Sequence, residues 1–184
     1  EIAPVTAAEF LRFLACWQHV DPEHRLEGPR GVAEAIRQLA GFEVPAAAWE
    51  GNVLPARVRG YRREWLDQLT TSGEIAWGRL WGAGASLIRR TPICLVPRED
   101  LESWMPLASL AAATPGPARE PTRTGREVED SLRRRGAMFL QEIARATGFA
   151  RDLVEEGLTE LIALGRVTCD SFSGLRWFLV PAWR

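Results

Sequence analysis

Lysine is missing altogether: the 23 cations of this 184-residue chain are all arginines. That absence excludes a P-loop, which needs a lysine on the nucleotide phosphates, so nucleotide hydrolysis does not reside here. Arginine usage of this kind fits coding in a GC-rich genome, although the guanidinium also suits phosphate contacts. Cysteine is scarce. Cys16, Cys94 and Cys169 are odd in number, far apart and set among apolar neighbours, which reads as buried thiols rather than a disulfide framework. No apolar run reaches membrane-spanning length and no signal peptide opens the chain, so a cytoplasmic protein without a membrane partner is expected. Neither sign of charge dominates: the net charge of −1 means that any basic face must be local. No serine stands in a Gly-x-Ser-x-Gly elbow, and an apolar content of 46% excludes a disordered chain.

The informative stretch runs from Tyr61 to Leu95. Tyr61, Trp65, Leu66 and Leu69 form one stripe at helical spacing, and Gly73 is the natural stop. A hairpin follows, from Glu74 to Trp81, through Gly82 and Gly84, and back along Leu87 to Leu95. Three helices and a hairpin make a winged helix. Ahead of it, Gly31 to Leu39 and Pro45 to Trp49 supply the two missing helices, with Pro55 expected to interrupt the second. The pattern recurs: Leu66, Leu69, Gly73 and Ile75 map onto Leu158, Leu161, Gly165 and Val167 at a constant offset of 92 residues. A second unit is therefore expected, with helices from Thr124 to Arg135, Met138 to Ala146 and Ala150 to Leu164. Its hairpin would run from Arg166 to Phe172 and Leu175 to Val180. The expected fold class is α+β, mostly helical, in tandem winged-helix modules. Residues 1–105 hold an N-terminal helix and the first module, 106–123 a Pro/Ala-rich linker, and 124–184 the second module.

Chemistry is harder to find than architecture. His19 and His24 lie near Cys16, Asp21 and Glu23, but the spacing matches no tight ligand pattern, so a polar helix end without metal is expected. Trp49, Trp65, Trp77 and Trp177 fall on inward stripes, while Trp17 and Trp81 are placed for partial exposure. The functional candidate is a basic cluster. Between Pro55 and Pro92, seven arginines (Arg57, Arg59, Arg62, Arg63, Arg79, Arg89 and Arg90) face only Glu64, Asp67 and Glu74. A winged helix docks its third helix in the major groove with the hairpin tip by the backbone, where such cations meet phosphates. The third helix of the second unit instead presents Asp152, Glu155, Glu156 and Glu160, which phosphates would repel.

Several runs resemble the C-terminal region of the bacterial large helicase-related (Lhr) proteins. They include Phe13 with Trp17-Gln18, Leu26-Glu27-Gly28, Trp49-Glu50, Val53-Leu54-Pro55-Ala56-Arg57, Trp65-Leu66-Asp67 and Gly73-Glu74. Gly136-Ala137-Met138-Phe139, Val167-Thr168-Cys169-Asp170-Ser171-Phe172 and Gly174-Leu175-Arg176 extend the likeness over nearly the whole chain. The resemblance implies a string of winged helices behind the ATPase core of a superfamily 2 DNA repair helicase. A start at Glu1 rather than Met fits an excised piece. It implies DNA, single-stranded or duplex, and the helicase core as partners, with a homo-oligomer as a further possibility. No catalytic residue and no cofactor is expected in the piece itself. Such extensions are also similar in fold to winged-helix DNA glycosylases, whose Gln-x-Gln pattern is absent: Gln18, Gln38, Gln68 and Gln141 stand alone.

Overall fold

A computed structural model describes residues 4–81, 91–112 and 120–179. The chain opens with α1 (Ala7–Trp17), started by a capping box in which the Thr6 amide donates to the Glu9 carboxylate at 2.8 Å. Two short extended pieces, β1 (Leu26–Glu27) and β3 (Val58–Arg59), pair in parallel and bracket the next helices. α2 (Gly28–Gln38) turns Val32, Ala35 and Ile36 wholly inward. After β2 (Val44–Pro45) come α3 (Ala46–Ala48), a π-helical turn (Trp49–Val53) and α4 (Leu54–Arg57). Pro55 does not interrupt this run. It follows directly on the π-helical turn, where the Leu54 amide donates to the Trp49 carbonyl five residues back, so its ring and missing N–H fall where the α-helical ladder is already interrupted.

α5 (Arg63–Thr71) ends at Gly73, which adopts φ +78°, and leads into β4 (Ile75–Gly78). The partner strand is β5 (Pro92–Pro97), with Trp77 opposite Leu95 and Ile75 opposite Pro97. β2 adds to the other side of β5, giving the order β2-β5-β4. Helix, strand, two helices and a hairpin are the winged-helix arrangement, and the molecule is α+β and mostly helical as expected. Trp49 fills the centre of this unit with no exposure, its indole N–H donating to the Ile93 carbonyl at 3.1 Å. Following β5, a 3-10 turn (Arg98–Asp100) enters α6 (Leu101–Ala112), which carries Pro106 inside it and joins into one helix the turns expected before Pro106 and around Leu107 to Ala112.

The second unit packs α7 (Arg123–Arg135), α8 (Leu140–Thr147) and α9 (Arg151–Ala163) around Val128, Ile143, Val154 and Leu161. Thr122 caps α7: its hydroxyl accepts from the Gly125 amide and donates to Glu160 at 2.6 Å. Gly165 closes α9 at φ +72°, as Gly73 closes α5. Beyond it the repeat breaks. No hairpin follows within the described residues; 166–171 is irregular, and α10 (Phe172–Phe178) replaces the expected return strand.

The reason is burial. Phe172 and Leu175, one helical turn apart, are both fully buried in the core of the first unit, together with Ile162, Ala163 and Leu179. Ser171 caps the helix by accepting from the Gly174 amide at 3.0 Å. The preceding segment lies against β4, an edge strand, with the Thr168 hydroxyl donating to the Trp77 carbonyl at 2.6 Å. Trp177, expected inside, is 50% exposed because α10 turns its other face to the core. Of the three thiols only Cys94 is buried, which pushes its pKa up to about 12; Cys16 and Cys169 are half-buried, and none forms a disulfide. No described helix is long and apolar enough to cross a membrane.

Candidate nucleic-acid interface

The seven arginines singled out in the sequence do not act together. Arg57, on the last residue of α4, is turned inward: it donates to the Val53 carbonyl at 3.1 Å and to the Gln18 side chain at 3.0 Å. Burial lowers its pKa from the ordinary guanidinium value. These bonds fasten α1 to the first unit. Arg79 is likewise spent, donating to the Ala163 carbonyl at the C-terminus of α9, while Gly165 packs on its backbone. Arg89 and Arg90 lie outside the described residues, as does the hairpin tip.

Three of the seven remain available. Arg59 follows Val58 on β3, with its side chain 60% exposed; it donates to the Pro22 carbonyl at 3.0 Å and lies 3.4 Å from the exposed Glu27 carboxylate. Such an open pair contributes at most about 1 kcal/mol, so it yields readily to a phosphate. Arg62 and Arg63 are exposed and make no ion pair among the described residues. The Arg62 guanidinium lies 5.8 Å from the centre of the Trp65 ring, which holds it in place without neutralising it.

These two residues stand at the start of α5, the helix that a winged helix inserts into nucleic acid. Arg62 is the N-cap residue, and no side chain accepts the first amide protons of the helix. The helix therefore offers open N–H donors, the positive end of its dipole and two arginines at one point. Gly60, at φ +60°, makes the bend that presents them. Sequence reading found the arginines but not the open helix end, whose only signal was the absence of Ser, Thr, Asp or Asn before Arg63.

The rest of α5 is less free than a lone winged helix would allow. Its Asp67 and Thr70 side is covered by α10: the Phe172 amide donates to the Thr70 hydroxyl and Arg176 donates to Asp67 at 2.6 Å. Exposed positions reduce to Arg63, Glu64, Gln68 and Thr71. In the second unit, Arg151 pairs with Glu155 at 2.6 Å and Glu160 is engaged by Thr122, leaving Asp152 and Glu156 outward on α9. That face remains acidic. Arg133 and Arg166 both donate to Glu129, a residue only 7% exposed, so two further cations are committed inside that unit.

A family model for the winged-helix domain of large helicase-related proteins matches residues 5–98. The chain belongs to this family. Its Lhr relatives include the "Lhr helicase/ probable uracil glycosylase" of Mycolicibacterium smegmatis, 35% identical over 182 residues and 96% of this chain. The "Lhr helicase/uracil glycosylase" of Escherichia coli is 32% identical over 160 residues, 82% of this chain. The chain spans about a tenth of the length of these curated relatives, 11% of the first and 10% of the second.

Proposed function

We propose that this chain is a non-catalytic, nucleic-acid-binding scaffold in the C-terminal region of an Lhr-type DNA helicase. The observation that supports it most is the pair of exposed, unneutralised arginines, Arg62 and Arg63, at the open N-terminus of the third helix of a winged helix. Arg59 extends the cluster along the adjoining strand. The helicase core of the parent protein would supply ATP hydrolysis, and this segment would hold the strand or duplex leaving it. Binding of this kind is to phosphates and falls with salt.

Fluorescence anisotropy with labelled single-stranded and duplex DNA tests the reading. Replacing Arg62 and Arg63 by Ala should weaken binding about tenfold at low salt and flatten the dependence of log K on log salt by roughly two phosphate contacts. A double variant with unchanged affinity and slope would remove these residues from the interface. Excision chemistry, named for both relatives, is not assigned to this stretch. Gln18 is held by Arg57, and Gln38 donates to the Trp17 carbonyl, so both are occupied in anchoring α1.

A second role rests on α1. None of its residues is buried, and Phe10, Phe13 and Trp17 stand 51%, 57% and 58% exposed along one stripe. We read this stripe as a packing face toward another part of the parent protein. Light scattering of the 184-residue chain should then give a monomer mass at all concentrations, whereas a mass rising with concentration would assign the stripe to a second copy.

A further inference from the structure

The loop that closes α1 gathers three side chains that the nucleic-acid reading leaves unused. Cys16 lies in the last turn of the helix, Asp21 and His24 in the loop after it, and one donor atom from each falls within 4.8 Å of the other two. The sequence spacing hid this, because the chain doubles back between them. His19 takes φ +56°, a left-handed conformation that non-glycine residues adopt at a cost, and it reverses the direction of the chain. Both the Val20 and the Asp21 amides then donate to one carbonyl, that of Ala15, at 3.0 and 3.2 Å. The His24 amide donates to the Asp21 carbonyl, and the His19 ring bonds the His24 carbonyl at 2.9 Å. Asp21 adds to this: its carboxylate accepts from the Glu23 amide at 2.9 Å and is bonded by the His24 ring at 3.0 Å.

We infer that Cys16, Asp21 and His24 form a binding site for a divalent cation of the zinc class, with water completing the coordination. Thiolate, imidazole and carboxylate together are the donor set of that class, and a thiolate disfavours the hard ions magnesium and calcium. The distances fit. Ligand atoms on tetrahedral zinc stand about 3.3–3.6 Å apart, given bonds near 2.0 Å to N and O and 2.3 Å to S. The Asp21 carboxylate and the His24 ring lie 3.0 Å apart, and the thiol stands within 4.8 Å of both, so small side-chain movements close the set. His24 is exposed and offers either ring nitrogen by a change of tautomer, and the thiol proton leaves to solvent on binding.

Titration of the reduced, chelator-treated 184-residue chain with Co²⁺ alone tests this. A thiolate-to-cobalt charge-transfer band should rise to one equivalent, be bleached by Zn²⁺ and be untouched by Mg²⁺. Cys16→Ser should abolish the band and Cys169→Ser should leave it. Asp21→Asn and His24→Ala should each weaken Co²⁺ binding roughly tenfold or more, with circular dichroism unchanged. No band at one equivalent, a band that survives Cys16→Ser, or full affinity in both the Asp21 and His24 variants would overturn the site.

Discussion

Phe172→Ala should cost the whole fold about 3–5 kcal/mol, the range for emptying a buried aromatic site. Phe172 is fully buried and belongs to the core of the first unit, although it lies far along the chain in α10. Its ring sits under the Arg176 guanidinium at 5.7 Å, and its amide donates to Thr70 on α5. Removing the ring leaves a cavity between two units that pack through it, and neither can close the gap without giving up those contacts. Urea denaturation followed by tryptophan fluorescence checks this, since the indicator Trp49 lies at the centre of the first unit. A loss below about 1 kcal/mol would mean that α10 is only loosely seated.

Arg176→Met is expected to be nearly as damaging, by about 3 kcal/mol, for a different reason. Arg176 donates to both oxygens of Glu50, at 2.8 and 3.1 Å, and to Asp67 at 2.6 Å. Burial opposes its charge, but the bonds to Asp67 and Glu50 outweigh that and raise its pKa, so it stays a cation at every accessible pH. Glu50 is only 8% exposed. Taking away the cation strands two carboxylates beside Tyr61, whose own hydroxyl pKa is pushed upward by burial and by Glu50. Adding Glu50→Gln to the variant should recover part of the loss, because the stranded charge goes with it. Guanidinium denaturation of the two single variants and the pair measures the coupling; additive losses would show that the ions do not act as a set.

Both variants probe contacts that could not be read from local sequence. The first unit was legible because its signals are local: a stripe at Trp65, Leu66 and Leu69, a helix stop at Gly73, and alternation in β4, where Ile75 and Trp77 point inward. The repeat was legible up to Gly165 for the same reason. Past that point the decisive force is tertiary. Phe172, Leu175 and Leu179 fit a helical stripe as well as a strand, and only the neighbouring core decides between them. The cap at Ser171 was the local clue in favour of helix. Among the arginines, residue type alone did not separate Arg57 and Arg79, which bond to carbonyls inside the protein, from Arg62 and Arg63, which face solvent. Partners 39 and 84 residues away made that distinction.

The winged-helix domain outlined by the family model ends at residue 98, yet its apolar interior is completed by side chains from 162 to 179. The domain border and the border of the cooperative interior thus differ on this chain. A cut at the first border would leave β4 and α5 wearing a raw apolar flank where α10 had been, and the trailing helices would lose their anchor. A displacement imposed on one unit is therefore handed to the other through α10.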